Sequence, residues 1–333
     1  MKRLGNLKKI TMNKLNKLYD GKIPEYVLKR YNYEIKIIYE KKLENNYLLA
    51  YKIVEKAKKD NRIIIDRISG SSYIDYLLGM TFVNPIKYNL LNDLREDITF
   101  YCGVSTDYYQ IIYDYLKVIF ENYKISDEFN INELKRYGIS LEINSYAYKL
   151  ELLERETKIE RNKIDLDDIN VYKNLDLSDV LLYRTDSKKN LFNIFSIDSI
   201  DKLANVYSLV QSDLDIDNND FNKYDLKTFP YTRNHIYDYL LKHHIKKEDA
   251  ILITKFIYKG YVSGDKITWN RYKDYLVKHD IEYNYINILE KICYLWPMSI
   301  CITRAIIIYW LSFYKFYYPE EYYKVINSYE GDK

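Results

Sequence analysis

Apolar residues in the first part of the chain recur at helical spacing. Pro24 suits the first position of a helix, because the N–H that proline lacks would be unpaired there in any case. From Val27 onward the apolar positions predict one long helix or two consecutive helices that end near Ala57. The run 62–66 is short and β-branched, and Ser-Gly-Ser-Ser follows it closely. It therefore predicts a buried strand that ends in a turn.

The middle of the chain predicts one more helix, then strands, then loops. A helix beginning near Ser105 has these residues on its predicted buried face: Ile111, Ile112, Tyr115, Leu116 and Ile119. Alternation of polar and apolar residues over 140–152 favours strands. The segment 166–225 is rich in Asp and Asn and predicts short ordered pieces joined by loops.

After Pro230 the pattern is helical almost to the end of the chain. The predicted helices are 233–242, 247–259, 268–278, 283–293, 299–317 and 320–328. The order is mixed α/β first and all-helical afterwards, which predicts an α+β fold in which helices predominate. A chain of 333 residues can bury the core of one large domain or of two closely packed ones.

Composition and charge add an expected partner and an expected location. The 40 tyrosines and 9 glycines, with abundant Ile, Asn and Lys, indicate an AT-rich coding genome, so the aromatic content alone implies no function. Residues 1–60 hold 16 Lys/Arg against 7 Asp/Glu, whereas residues 151–227 hold 11 against 17. A basic end and an acidic middle predict that one side of the protein binds a polyanion. The strongest apolar run, 305–314, is too short to span a bilayer, so we expect a soluble protein that does not bind membranes.

The cysteines and histidines do not indicate a metal centre. Cys102, Cys293 and Cys301 lie far apart without histidines at ligand spacing, so we expect neither a disulfide framework nor a zinc site, and a reducing cytoplasm fits. Neighbouring histidines on a helix point in different directions. The pair at 243–244, with His235 on the same predicted helix, is therefore expected to form an exposed face.

Five stretches of the sequence carry motifs in a meaningful order, beginning with LYDGKIPEYVLKR (18–30) and ISGSSYIDYLLGMTFVNP (68–85). They resemble bacterial C-family DNA polymerases of the PolC type, in which the first is similar to the start of the polymerase core and the second to the glycine-serine loop and the following V-N-P. LREDITFY (94–101) resembles P-D-I-D-L-x-F, and YKLELLE (148–154) resembles K-L-D-I-L-G. The stretch 291–323 is the most specific, because seven residues keep the family's spacing without a gap. They are Lys291, Tyr294, Pro297, Lys315, Pro319, Tyr322 and Tyr323.

This resemblance implies a remnant of a polymerase-β-like nucleotidyltransferase palm with helical thumb-like and fingers-like regions. The basic residues 1–60 would be thumb-like, 61–165 palm-like and the mostly helical 166–333 fingers-like. PolC-type enzymes carry a cysteine cluster between V-N-P and P-D-I-D, where this chain has only residues 86–96. We therefore expect no zinc module.

The three metal-binding aspartates of the family correspond here to Asp97, Thr99 and Glu151. Template-directed phosphoryl transfer needs two divalent cations bridged by carboxylates. Glu151 keeps the charge on a longer side chain, whereas Thr99 removes a charge. We therefore expect no cofactor, with Mg²⁺ bound through Asp97 and Glu151 only if the protein is active.

The phosphate-binding loop keeps half of the family's pattern. Its backbone N–H groups could still cradle a phosphate, with a basic side chain beside them. The sequence Ser-Gly-Ser-Ser at 69–72 is equally well explained as a plain turn. The candidate residues are Arg67, Ser69, Gly70, Ser71 and Ser72.

The fingers-like region has lost its nucleotide contacts but keeps basic residues. Met298 and Ile300 stand where the family has the lysine and histidine that the resemblance places against the incoming nucleotide. The family's Q-H-P-G-G motif has no counterpart. Contacts to DNA phosphates, with tyrosines as stacking platforms, are expected from Arg233, Lys259, Lys291 and Lys315.

Three functional hypotheses remain open at this stage. The leading one is a catalytically degenerate PolC-like polymerase core, encoded by a plasmid or phage, that binds DNA or the replication machinery. The second is a divergent but active nucleotidyltransferase that uses Asp97 and Glu151. The third is an interaction protein that mimics the host polymerase and occupies its partners.

Overall fold

The chain forms two compact units. The structure is a computed structural model that describes residues 5–65, 70–90, 99–126, 128–175, 195–214, 225 and 227–330. The first unit comprises Met1–Asp165 with Trp310–Lys333, and the second comprises Leu166–Tyr309. Helices predominate and the described sheets are small, in agreement with the predicted α+β class.

In the first unit, three helices precede the glycine-serine turn and the rest surround a small parallel sheet. The elements are α1 (Leu7–Leu18), α2 (Glu25–Glu40), α3 (Glu44–Lys59), α4 (Tyr73–Leu78), β1 (Phe100–Val104), α5 (Thr106–Tyr123), α6 (Ile131–Arg136), β2 (Ile139–Ile143) and α7 (Ser145–Thr157). The long helix α15 (Met298–Tyr317) supplies its last residues to this unit, and α16 (Pro319–Glu330) follows it.

The second unit is mostly helical. Its elements are α8 (Ile169–Lys173), α9 (Ile200–Gln211), β3 (Asp213–Leu214), α10 (Arg233–Lys242), α11 (Lys247–Tyr258), α12 (Tyr261–Gly264), α13 (Lys266–Lys278), α14 (Tyr283–Glu290) and β4 (Ile292–Tyr294). The first residues of α15 complete it. β3 and β4 pair antiparallel.

The two consecutive helices predicted up to Ala57 are confirmed as α2 and α3. Apolar positions of both helices point inward, and Val27, Tyr31 and Ile53 are fully buried. The Tyr31 hydroxyl lies 2.9 Å from the Thr11 hydroxyl of α1, so this buried phenol has a polar partner. These helices form the apolar core of the first unit together with α4, α5 and the sheet.

β1 and β2 run parallel, with Phe100 opposite Ile139 and Val104 opposite Ile143. The strand predicted over 62–66 is present only as one antiparallel bridge, in which Ile65 and Gly103 exchange both backbone hydrogen bonds. A Cβ on Gly103 would lie 2.7 Å from the Ile65 carbonyl oxygen, so only glycine permits this approach.

The prediction of strands over 140–152 is wrong after Ile143. The Asn144 side chain accepts hydrogen bonds from the backbone N–H groups of Tyr146 and Ala147, which starts α7. Ala147, Leu150 and Leu153 then bury one helical face. Capping and this three-residue spacing outweigh the short alternation of polar and apolar residues.

Two further details of the predicted helices differ from the structure. The helix predicted near Ser105 is confirmed as α5, but Ile111 is 49% exposed, because Tyr108, Ile112 and Leu116 form the buried face instead. In the second unit the helix predicted to continue to Cys293 ends at Glu290, and β4 follows it. The remaining helices predicted after Pro230 are confirmed within about two residues.

Gly260 forms a tight turn between α11 and α12. Its backbone is left-handed, with φ +73°, and a Cβ at this position would lie 2.4 Å from the Cys293 carbonyl oxygen. Both the backbone conformation and the lack of space therefore require glycine here.

The helix α15 is longer than the apolar run seen in the sequence. By length and composition it could cross a membrane, but 78% of its most apolar window is buried inside the protein. Within the described part of the chain it has the burial of a core helix.

Candidate functional site

Glu151, the predicted third ligand, lies on α7 in the first unit. One carboxylate oxygen, Oε1, accepts a hydrogen bond of 2.7 Å from the backbone N–H of Ile63. The other, Oε2, lies 3.3 Å from Nε of Arg62, and the side chain is only 10% exposed. Burial raises the pKa of Glu151, while the Ile63 N–H and the Arg62 guanidinium oppose that rise.

The Arg62 guanidinium joins Glu151 to the start of α5. Its Nη2 donates to the Ser105 hydroxyl at 2.8 Å and to the Asp107 carboxylate at 2.5 Å. The same group lies over the ring of Tyr108, 4.9 Å from the ring centre. The hydrogen bond from Arg62 lowers the pKa of Asp107, so this carboxylate stays ionised. A fixed positive charge thus stands between two acids.

A second set of polar contacts extends from the other side of Tyr108. The tyrosine hydroxyl donates to Asp60 at 2.6 Å, and Lys56 pairs with the same carboxylate oxygen at 2.6 Å. Sequence reasoning did not identify Arg62, Asp107 or Asp60 as part of the site. The contacts bring together residues more than forty positions apart, and a single sequence contains no local signal for such pairs.

A cavity of about 390 Å³ opens beside Glu151. Its charged lining includes Arg62, Asp107 and Glu151, with Glu154 and Arg155 from the following turn of α7. The charged lining thus contains both acids and bases. The cavity can hold water or a small polar molecule beside the Glu151 carboxylate.

The other two predicted ligand positions adjoin β1. Asp97 lies outside the described residues. Thr99 is partly buried and immediately precedes the first residue of β1. In a strand, alternate residues share a face, so Thr99 lies on the face of Tyr101 and Gly103. Thr99 presents a neutral hydroxyl on this face.

The residues of the predicted phosphate loop that the structure describes form a capped helix start. Arg67 and Ser69 lie outside the described residues, whereas Gly70, Ser71 and Ser72 are described. The Ser72 hydroxyl oxygen accepts from the Asp75 N–H at 3.2 Å and so begins α4.

The buried carboxylate of Glu34 occupies the N-terminus of that helix. Its Oε2 accepts hydrogen bonds from the Ser72 hydroxyl at 3.0 Å and from the backbone N–H groups of Tyr73 and Ile74 at 2.8 and 3.1 Å. Arg30 pairs with Oε1 at 2.5 Å and donates to the Ser71 carbonyl at 2.8 Å. An internal anion therefore satisfies the N–H groups that a phosphate would need. In the sequence, the only sign of this buried carboxylate was that Glu34 stands among the apolar positions of α2.

Met298 and Ile300, which the sequence resemblance predicts to stand in place of a lysine and a histidine, lie in the interior at the start of α15. They are only 7% and 9% exposed. The backbone N–H of Met298 donates to the Asn234 side chain at 3.0 Å. These two side chains contribute to the core of the second unit and present no polar group.

The predicted DNA contacts of the second unit take part in local packing. The Arg233 guanidinium lies over the ring of Tyr258, 4.8 Å from its centre. Lys259 ends α11 beside Gly260, and Lys291 ends α14, both only partly exposed. These three residues stand at separate helix ends.

The contacts of Lys315, in the first unit, give a structural reason for part of the spacing in the stretch 291–323. Its ammonium lies 5.8 Å and 5.6 Å from the ring centres of Tyr322 and Tyr323. Pro319 starts α16 and brings the two tyrosines back over the end of α15. The spacing Lys-x₃-Pro-x₂-Tyr-Tyr therefore corresponds to a cation–π contact at a helix–helix corner.

Among the described ranges, no group of three or more His, Cys, Asp and Glu side chains is arranged to hold a metal ion. Of the histidine pair, His244 is exposed and His243 is partly buried, with its ring 4.5 Å from that of Tyr239.

The N-terminal part of the chain is similar to a known polymerase domain. The family described as Bacterial DNA polymerase III alpha NTPase domain matches residues 5–94. This range includes Arg30, Glu34, Arg62 and the glycine-serine turn. Glu151, Met298 and Lys315 lie outside it.

Three characterised relatives align over a similar length. Error-prone DNA polymerase 1 of Rhizobium meliloti is 36% identical over 76 residues, which is 22% of this chain and 7% of that protein. DNA polymerase III PolC-type of Latilactobacillus sakei is 37% identical over 78 residues, 23% of this chain and 5% of that protein. DNA polymerase III subunit alpha of Ureaplasma parvum is 35% identical over 75 residues, 22% of this chain and 8% of that protein.

The resemblance to the C-family DNA polymerases is therefore confirmed for an N-terminal stretch at about 35% identity. The chain aligns with less than a tenth of the length of each of these relatives.

Proposed function

We propose that this protein is a catalytically degenerate relative of the PolC polymerase core that binds DNA or replication proteins without transferring nucleotides. The observation that carries the proposal is the ion pair between Arg62 and Glu151. The side chain that would be the third metal ligand has a protein cation and a backbone N–H as its partners. We further propose that residues 1–60, 61–165 and 166–333 descend from thumb, palm and fingers regions.

The described residues do not fit the pair of divalent cations that the resemblance implies. Two such ions need several carboxylate oxygens around them. Thr99 contributes no charge, and a cation beside Glu151 would be repelled by the guanidinium of Arg62. The burial of Met298 and Ile300 supports the same conclusion, because two apolar side chains replace the polar residues expected against a nucleotide.

Primer extension tests the loss of activity directly. With Mg²⁺ or Mn²⁺ and a primed template, we expect no incorporation above that of a heat-denatured sample. Robust incorporation that Asp97→Asn abolishes would contradict the proposal. A variant of an exposed acid, Glu25→Gln, serves as the control for an indirect effect of removing a charge.

DNA binding is tested by the dependence of affinity on salt. A protein that neutralises phosphates loses affinity steadily as salt rises, because bound counterions are released on binding. We expect that loss for single-stranded or primed DNA. An interaction protein that mimics the host polymerase without touching DNA would show no salt-dependent DNA affinity, and this outcome would favour the third hypothesis.

One observation favours the alternative of a divergent active nucleotidyltransferase. The cavity of about 390 Å³ beside Glu151 leaves room for a small polar group next to the carboxylate. In that case Asp97 and Glu151 would carry the reaction, and Glu151→Gln would remove the incorporation seen in the primer-extension assay.

A further inference from the structure

The outward face of α11 in the second unit exposes apolar side chains. Leu252 is more than half exposed, and Phe256, one helical turn later on the same face, is partly exposed. The ring of Phe256 lies 5.8 Å from that of Tyr261 and 5.3 Å from that of Tyr272, measured between ring centres. Tyr261 is also more than half exposed. These four residues form the α11 patch, a continuous apolar surface.

The fold of the second unit does not use the α11 patch to anchor the helix. The opposite side of α11 is buried in the core through Ala250, Ile253 and Ile257. On its flank, the Asp249 carboxylate accepts a hydrogen bond of 2.9 Å from the hydroxyl of Tyr275 in α13. Because α11 is already held in this way, covering the patch with a partner would remove apolar surface from water at no cost to the core.

The charges on the outward face of α11 are separated by sign. Glu248 stands one turn before Leu252, whereas Lys255 and Lys259 follow Leu252 at three and seven residues. The position four residues after Glu248, where a base could pair with it on the same helix, is taken by Leu252. In α2, by contrast, acids and bases pair four residues apart along the exposed face. The outward face of α11 thus has an acidic end, an apolar middle and a basic end.

A second copy of α11, packed antiparallel about a two-fold axis, is complementary to this face. In such a pair Leu252 of one copy meets Phe256 of the other, and Glu248 meets Lys259. The midpoints of these two residue pairs differ by about half a residue, or about 0.75 Å along the helix, so one axis near position 254 serves both. Every contact then occurs twice, because a two-fold interface uses the same surface of both copies.

We propose that the α11 patch is the interface of a homodimer in which two copies of the chain pack their α11 helices antiparallel. Leu252 and Phe256 form its apolar centre, and Glu248 pairs with Lys259 of the second copy at each end. One helix and its neighbours supply a small interface, so we expect a weak dimer with a Kd of about 10–100 µM. The inference goes beyond the proposed function, because it assigns a partner to the second unit and depends neither on Glu151 nor on DNA.

Sedimentation equilibrium of the full chain, from about 5 to 500 µM, tests the dimer. We expect a monomer–dimer equilibrium in the parent protein. Leu252→Ser should weaken it at least about tenfold, because the apolar contact is lost twice. Val118→Ser changes a similarly exposed residue of α5 in the first unit and should leave the dimer unchanged. A parent protein that is monomeric throughout, or Leu252→Ser that dimerises as well as the parent, overturns the proposal.

Charge reversal tests whether the second copy is paired as proposed. Glu248→Lys and Lys259→Glu should each weaken self-association roughly three- to tenfold, because each homodimer then has like charges facing at both ends. An equimolar mixture of the two variants should associate about as strongly as the parent protein, because the mixed dimer has opposite charges at both ends. A mixture as monomeric as the separate variants overturns the antiparallel pairing. Thermal melts verify that each variant is folded, and the Leu252→Ser comparison stands independently of the charge variants.

Discussion

Glu34 and Glu151 are both buried glutamates paired with an arginine, yet their surroundings differ. Glu34 is 1% exposed and accepts hydrogen bonds from a hydroxyl and two backbone N–H groups besides its contact with Arg30. Glu151 is 10% exposed, receives one backbone hydrogen bond and borders a cavity. The first carboxylate is enclosed by its donors, whereas the second has a cavity on one side.

The difference indicates two kinds of role. A buried carboxylate with several donors stabilises the elements that supply them, here the start of α4 at Ser72. A buried carboxylate with few donors is costly to keep ionised, and such groups occur more often at binding or catalytic positions than elsewhere. Glu34 therefore maintains the local fold, whereas the surroundings of Glu151 are those of a binding position, which agrees with the proposed function.

The largest expected effect is that of Glu34→Ala. It leaves Arg30 and the N–H groups of Tyr73 and Ile74 without their acceptor, so we expect a loss of roughly 3 kcal/mol in the free energy of unfolding. Urea unfolding followed by circular dichroism measures it. Glu25→Ala on the same helix is the control, because that side chain is 80% exposed and its loss should cost less than about 0.5 kcal/mol. Equal losses in the two variants would contradict a special role for Glu34.

Arg62→Ala should have a smaller effect. It removes the partner of Glu151 and Asp107, but Asp107 is 59% exposed and Glu151 borders a cavity, so we expect a loss of about 1–2 kcal/mol in the free energy of unfolding. Because two carboxylates then lack their cation, Mn²⁺ should raise the melting temperature of the variant more than that of the parent protein. Arg155→Ala, in the same cavity lining, should show neither change. A variant that remains insensitive to Mn²⁺ would show that Arg62 does not take the place of a cation.

Glu151→Gln should have the smallest effect on the free energy of unfolding. The effect should appear as a change in how that free energy depends on pH. Burial raises the pKa of Glu151 in the folded protein above that of the unfolded chain. The folded state then binds more protons between these two pKa values, so this group makes the protein less stable as pH rises through that window. The glutamine variant should lack this decline. Urea unfolding from pH 4 upward, compared with Glu154→Gln, measures the difference, and identical pH profiles for Glu151→Gln and the parent protein would contradict it.

Most helices of this fold could be predicted from apolar spacing, because long amphipathic segments such as α2, α5 and α10 repeat the pattern over several turns. The error after Ile143 had a local cause. A few alternating residues favoured a strand, but Asn144 capped a helix whose buried positions are three residues apart. The bridge between Ile65 and Gly103 could not be predicted, because it joins segments far apart in sequence.

The candidate site was only partly predictable. A family motif indicated Glu151. Its ion pair with Arg62, and the pairing of Arg62 with Asp107, depend on tertiary contacts that no spacing in the sequence reveals. Arg233 and Lys315 carry charges that fit contacts to DNA, and in the folded protein both lie over tyrosine rings.

The turn at Gly260 constrains the gene as well as the protein. Elsewhere this chain places Asn61, Asn89 and Lys124 in the left-handed conformation. Codons for asparagine and lysine begin with two adenines, whereas every glycine codon begins with two guanines. Drift toward an AT-rich genome can therefore replace glycine wherever a left-handed turn has room for a side chain. At Gly260 the Cys293 carbonyl leaves no such room, so selection must hold two guanines there against the composition of the whole sequence.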